Sequence, residues 1–475
     1  LNNKSIKRLI VRLLLVFLPF NLMAEIKLPA ILSDNMVLQQ QSNPLLWGEA
    51  KPFSVVKVVT SWNNKDYKTK AGNDGSWKVQ IETPEAGGPY EITIEDNSKL
   101  TIKNVLIGEV WYCSGQSNMG MPLRGHYNAP VLNSNEVIAK STNESIRLFT
   151  VGRKTSFEPL TNAKGQWDLC EPKNVGDFSA TAYFFGQMLQ EALHVPVGLI
   201  NSSWGGTNIE TWMSPNSIKQ FDFINIPSKD ETDRLSEAYP KTPSLLFNGM
   251  VSPILDFTIR GVIWYQGEDN VTRPAEYQKL LPSLIEGWRE EWGIGEFPFY
   301  YAQITPFYYG SNLNSAFLRE AQLKALEKTQ NTGMACLLDV GEEAEIHPSN
   351  KKAVGQRLAF LALSKTYDVQ KIESSGPILK DITIHDNIAE LTFDHASKGL
   401  TSFGRELSNF EIAGANKRFF NAKAFITKKG RVRVYSDWVA KPVAVRYAFK
   451  NFVVGDLYNT EGLPASSFRT DDWEE

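Results

Sequence analysis

The 475-residue chain has little with which to staple itself covalently. It carries three cysteines, Cys113, Cys170 and Cys336, an odd and sparse set that excludes a disulfide framework in a chain this long. Cys113 and Cys336 lie in apolar runs and read as buried thiols. Histidine is scarce, five residues in all, and no Cys/His spacing suits zinc, nor does any Asp-rich loop suit calcium. No metal and no cofactor are therefore expected. An excess of one charge is also missing, with 50 basic residues against 53 acidic ones and no basic block beyond the extreme N-terminus. That balance argues against a nucleic-acid surface, which needs a concentrated positive patch. It leaves room for a smaller positive pocket that takes an acidic substrate.

What is present begins with a leader. Lys4, Lys7, Arg8 and Arg12 precede a short apolar run, Leu13 to Met23, and Ala24 supplies a small residue for cleavage. Residues 1–24 read as a secretory signal, too short for a comfortable span, which predicts a bacterial periplasmic or secreted protein. No cysteine stands near the junction to take a lipid, and no later segment is long and apolar enough to cross a bilayer. Twelve tryptophans and sixteen tyrosines provide flat faces of the kind sugars use, although packing accounts for most of them.

Length allows roughly two to four domains. Residues 25–104 read as all-β: "SVVKVVTSW" alternates, "NDGSWKVQIE" leads from an Asp-Gly turn into a strand, and "YEITIED" alternates again. Residues 105–366 alternate strands with helices. "VLIGEVWYC", "VPVGLINSSWGGT", "TIRGVIWYQGEDN", "FPFYYAQI" and "GMACLLDVG" are the strands. "SATAYFFGQMLQEALH", "PAEYQKLLPSLIEGWREEW" (despite Pro282), "FLREAQLKALEKT" and "SNKKAVGQRLAFLALSK" are the helices. This pattern predicts a parallel sheet with helices on both faces, and ligands bind such sheets where strand C-termini open into loops. Residues 367–475 return to β character as a second β domain.

Four polar turns fall at those strand ends, and together they suit ester hydrolysis without a metal. That reaction needs a nucleophile, a base and donors for an oxyanion. In "CSGQSNM" Gly115 lets the chain turn sharply, so that Ser117 begins a helix with its N–H and Oγ facing one space. In "SSWGGT" Gly205 or Gly206 allows a second N–H to approach a substrate closely. In "WYQGEDN" Gln266, or Asn270 further on, offers a side-chain amide. Among the histidines, His385 and His395 lie in the C-terminal β region and His194 at a helix end. His126 sits in the "RGHYN" loop, and His347 sits between a strand and a helix on the ligand side. By elimination His347 is the best base.

The blocks "LPAILSDNMVLQQ", "GEVWYCSGQSNMGMPL", "GLINSSWGGTNIETWMS", "VIWYQGEDN", "IHPSNKKAVGQRLA" and "LYNTEGLPASSFRTDDW" resemble the sialate O-acetylesterase family of the SGNH hydrolase superfamily. The resemblance covers nearly all of the chain after residue 24. It implies an α/β fold, a three-layer SGNH-hydrolase (flavodoxin-like) parallel-sheet domain flanked by N- and C-terminal β domains. It also implies removal of O-acetyl groups from sialic acids through an acetyl-enzyme. Ser117 matches the nucleophile and His347 the base. The N–H groups of Ser117 and the Gly205-Gly206 turn match the oxyanion hole, with Gln266 in the place of the superfamily's asparagine donor.

The sequence departs from the superfamily at the acid. Three residues before the histidine stands Ala344, where an aspartate is usual, and the local run is Glu345-Ile346-His347. Residues two apart in an extended segment share a side, so Glu345 is expected to orient His347. Asp339, Glu342 and a backbone carbonyl are the alternatives. The same machinery serves acetylated xylan or other plant glycans, and a non-catalytic carbohydrate-binding protein is the reading from another class. A sialic acid would need its carboxylate matched, with Arg124, Arg273 and Arg319 as candidates. The expected partner is thus an O-acetylated sugar or glycan. Oligomeric state has no signature in the sequence.

Overall fold

The computed structural model describes residues 25–226 and 241–473, and the expected signal segment 1–24 lies outside the described residues. A central sheet runs in the spatial order Thr332–Ala335, Phe299–Ala302, Gly261–Tyr265, Lys99–Gly115, Val197–Ser203, Asn143–Thr150 and Trp167–Cys170. All neighbours pair in parallel except the last two, which are antiparallel. The sheet is therefore mixed at one edge, where the sequence suggests only parallel strands. Asn143–Thr150 and Trp167–Cys170 escape the pattern because neither is followed directly by a long helix.

Alternation along the strands explains why both faces are covered. Val110 and Tyr112 join Val262, Trp264, Tyr277 and Trp288 in one core, while Trp111 and Cys113 join Ile263, Tyr265, Phe185 and Leu358 in another. Successive side chains point to opposite faces, so an apolar run with no polar interruption has to be buried on both. Helix Pro274–Trp292 supplies Tyr277 and Trp288 to the first core. Helices Ala180–Leu193 and Lys351–Lys365 pack together on the second.

The strand Lys99–Gly115 is 17 residues long. Its first part pairs antiparallel with Gly87–Glu95, in the N-terminal β region, and its second part belongs to the central sheet. The expected boundary between residues 104 and 105 thus falls inside one continuous strand. Toward the C-terminus two four-stranded antiparallel sheets face each other across a shared core that includes Leu391, Val434, Phe410 and Tyr447. Leu338 of the α/β region enters that same core, and its carbonyl accepts the Gly455 N–H at 3.0 Å. The loop that carries His347 is therefore rooted partly on the C-terminal sheets.

Cys113, Cys170 and Cys336 are all buried free thiols. Burial pushes the Cys170 and Cys336 thiols up to about 12, which keeps them protonated and unreactive. Among the described residues no helix is long and apolar enough to cross a membrane.

Candidate active site

The strand order reverses about Lys99–Gly115: the chain leaves it toward one side of the sheet and later returns to its other side. At such a switch point the neighbouring loops separate and leave a crevice. Ser117 stands immediately beyond this strand, the Ser203–Thr207 turn beyond one neighbour and the Gln266–Asn270 turn beyond the other.

Gly115 makes the first turn possible. Its φ is +139°, and a Cβ there would lie 2.1 Å from the Tyr265 carbonyl oxygen. The short helix that follows, Ser117–Gly120, is a single turn, so the expected helix dipole reduces to its free N–H groups. It is pinned from behind by the capping residue of the next long helix: Ser179 accepts the Ala182 N–H and donates to the Met119 carbonyl at 2.5 Å. Replacing Gly115 by Ala is expected to cost roughly 2 kcal/mol or more, from the unfavourable φ and the carbonyl clash together. A lowered urea midpoint at unchanged m-value would show it.

Ser117 is half-buried, and its Oγ has no hydrogen-bond partner among the described residues. The N–H groups of Ser117, Gly205 and Gly206 likewise have no acceptor among the described residues. The second turn is fastened to the first by the Trp204 N–H, which donates to the Gly115 carbonyl at 3.1 Å. Gly205 presses directly on the serine, since a Cβ at Gly205 would sit 3.0 Å from Ser117 Cβ. Gly206 takes a φ of +70°, the left-handed conformation that closes the turn.

The third turn differs in detail from its sequence reading. Gln266 is fully buried, and its amide donates to the Thr207 carbonyl at 3.1 Å and to Asn270 Oδ1 at 2.8 Å. Both amide protons therefore have acceptors, and in this arrangement Gln266 braces the second turn instead of offering an open donor. Asn270 is also committed, donating to Glu210 and accepting the Ile209 N–H. Gln116 completes the tie by accepting the Gly267 N–H.

His347 and Glu345 meet, although not as an extended segment. Residues 342–345 form a tight turn and the chain bends at Ile346 and His347. The Glu345 side chain folds back to accept the His347 backbone N–H at 2.8 Å, and its Oε1 lies 2.9 Å from His347 Nδ1. A carboxylate on Nδ1 favours the tautomer whose lone pair is on Nε2. The alternatives are engaged elsewhere: Asp339 pairs with Arg357 through both oxygens, and Glu342 accepts from Ser349. Burial first, and then the nearby Lys351, hold the His347 imidazole below its ordinary value against the opposing effect of Glu345. At neutral pH the ring is uncharged and able to take a proton.

Several residues passed over in the sequence complete the site. Asn118, beside the serine, is fully buried; its amide donates to the Ile346 carbonyl at 3.0 Å and to Glu268 Oε1 at 2.5 Å. It accepts from Lys351 Nζ at 2.5 Å. One signal for Lys351 is visible in the sequence: it falls on the apolar stripe of its helix with Val354, Leu358 and Leu361, all buried. Burial pushes the Lys351 amine down to about 7 and the Glu268 carboxyl up.

The His126 ring lies 5.8 Å from that of His347. It is held below its ordinary value by burial, then by His347, Lys351 and Arg153. Arg153 lies over the Trp204 ring, 5.7 Å from its centroid, and has no carboxylate partner among the described residues. The three arginines singled out from sequence are all occupied: Arg124 pairs with Asp177, Arg273 with Glu210 and Glu276, and buried Arg319 donates to Ser467, Ser315 and nearby carbonyls.

The family model described as "Carbohydrate esterase, sialic acid-specific acetylesterase" matches residues 107–364. Sialate O-acetylesterase of Homo sapiens is 30% identical over 401 residues, covering 76% of this chain and 75% of that protein. The enzyme of that name from Rattus norvegicus is 30% identical over 427 residues, covering 76% and 78%. The crystal structure of a carbohydrate acetylesterase from Xanthomonas citri shares 35% sequence identity, with a TM-score of 0.85. The match covers 94% of this chain and 100% of that one.

Proposed function

The chain belongs to the sialic acid-specific acetylesterase family of carbohydrate esterases, and from that premise we propose that it removes O-acetyl groups from sialic acids by a serine acetyl-enzyme mechanism. The observation that carries the reading is the convergence of the turns. A serine hydroxyl and N–H groups on two turns, without partners among the described residues, adjoin one another, and the Asn118 amide ties their turn to the loop of an uncharged histidine that has a carboxylate on Nδ1.

Ser117 Oγ attacks the acetyl carbonyl carbon while His347 Nε2 takes the hydroxyl proton. The N–H groups of Ser117 and Gly205 receive the oxyanion, with Gly206 closing their turn and Gln266 bracing it. The bond from the acetyl carbon to the sugar oxygen then breaks, and His347 returns its proton to that oxygen. Water next attacks the acetyl-enzyme, His347 accepts its proton, and acetate leaves as Ser117 is restored. Glu345 keeps the imidazole in the required tautomer throughout.

Residues 105–366 form the three-layer SGNH hydrolase domain between β domains at 25–104 and 367–475. Residues 1–24 are a secretory signal that delivers the enzyme to the periplasm or beyond, supported by their basic start and short apolar run.

Sialic acids carry a carboxylate that acetylated xylan lacks, and Arg153 is the proposed partner for it. Its guanidinium has no carboxylate partner among the described residues, it lies over the ring of the residue next to Gly205, and its charge reaches His126 beside His347. The test is acetate release from 9-O-acetyl sialic acid and from an acetylated xylooligosaccharide, by wild type and by Arg153→Gln. A charge-assisted hydrogen bond is worth about 1.5–3 kcal/mol. The substitution is therefore expected to lower kcat/KM on the sialic acid roughly tenfold to a hundredfold more than on the xylooligosaccharide. Wild-type release from the xylooligosaccharide alone would transfer the reading to plant glycans. Equal losses on both substrates would remove Arg153 from carboxylate recognition.

A further inference from the structure

We propose that Lys351 is a positioning residue for the acyl transfer: through Asn118 its buried amine holds the Ser117 turn, the His347 loop and the Glu268 turn in one register. This rests on the reading that Ser117 and His347 perform the chemistry.

The geometry is that of a knot with one residue at its centre. The Asn118 side chain spends its acceptor on Lys351 Nζ and its donors on Glu268 Oε1 and the Ile346 carbonyl. Its own backbone carbonyl accepts from Thr181 Oγ1 at 3.1 Å. Asn118 follows the nucleophile directly and Ile346 precedes the base directly, so a rotation of the Asn118 amide displaces both reacting groups. Lys351 determines which way that amide faces. Only a donor can sit against Asn118 Oδ1, and with that edge fixed the –NH₂ edge has to meet Glu268 and Ile346.

Burying an amine fully is costly unless hydrogen bonds and charges replace the lost water, and here Asn118 Oδ1 is the acceptor that does so. Among the described residues the amine makes no direct bond to a carboxylate. Its surroundings are Glu268 from the third turn, Glu342 and Glu345 from the fourth, and the Tyr265 ring, whose centroid is 5.8 Å from Nζ. His347 and His126 both lie within range of its charge. Lys351 is thus placed to act on the base in two ways, by holding its loop and by opposing a second positive charge on the imidazole.

These two actions separate in experiment. Lys351→Met removes the donor and the charge, whereas Lys351→Gln removes the charge and retains a donor for Asn118 Oδ1. The Glu268 carboxyl is already held above the usual carboxylate range, so it can take up a proton when its cationic neighbour is lost, and the Met variant is expected to fold.

On an aryl acetate, kcat of the Met variant should fall on the order of 10²-fold at unchanged KM, the loss expected of a small misplacement of reacting groups. Removing a cation near His347 makes its protonation easier. The acid limb of the kcat/KM profile should therefore move to higher pH in both variants, with a smaller loss of kcat for Gln. A folded Met variant with kcat within threefold of wild type, or with its acid limb unmoved, overturns the proposal. If the Met protein is not recovered folded, the limb of the Gln variant decides alone. A wild-type enzyme that releases no acetate from any ester would instead overturn the esterase mechanism on which the proposal rests.

Discussion

Ser117→Ala is expected to lower kcat for acetate release by roughly 10⁴-fold or more, the scale seen when the nucleophile of a serine hydrolase is removed. The protein should remain folded. The serine hydroxyl makes no hydrogen bond among the described residues that its loss would break, so stability should change by no more than about 0.5 kcal/mol. KM should change little, because the N–H groups and the sugar contacts stay in place. Single-turnover labelling with an acyl donor should show an acetylated wild type and an unlabelled variant. Activity within tenfold of wild type would transfer the nucleophile's role to another residue or to water.

Glu345→Gln should be the next most damaging change, lowering kcat/KM on the order of 10²–10⁴-fold. A Gln at this position is able to present its –NH₂ to Nδ1. The imidazole would then carry its proton on Nε2, where a lone pair is needed. The His347 backbone N–H also loses a carboxylate acceptor. The charge effect has a definite sign: Glu345 raises the His347 value, so its neutralisation should move the acid limb to lower pH. This is the opposite of the direction expected for the Lys351 variants, and the paired profiles check both at once. A Glu345→Gln enzyme with wild-type kcat/KM and profile would leave the Ile346–His347 bend itself to orient the ring.

Much of the site is legible in the sequence because its parts are local. A strand that ends in glycine and a small polar residue announces a turn wherever it occurs, and alternating strands and helices place such turns on one edge of a sheet. Ser117, the Gly205-Gly206 turn and the His347 loop all follow from that logic. Lys351 was half legible, as a charged residue on an apolar stripe. Arg153 was not, because the strand before it, Asn143–Thr150, was itself missed and its loop had no place on the ligand edge.

The sequence by itself therefore determined most of the elements and the chemistry they offer: the buried strands, the long helices, the hydroxyl and the imidazole. These depend on periodicity, turn preference and residue type, which act over a few neighbours. Only the tertiary structure decided how that chemistry is held. The Asn118 amide meets a carbonyl 228 residues away and an amine 233 residues away. Gln266 gives its donors to Thr207 and Asn270, and Glu345 reaches His347 through a bend where an extended pair was expected. Buried polar groups must find partners wherever packing brings them, and no local pattern in the chain encodes which partner that will be.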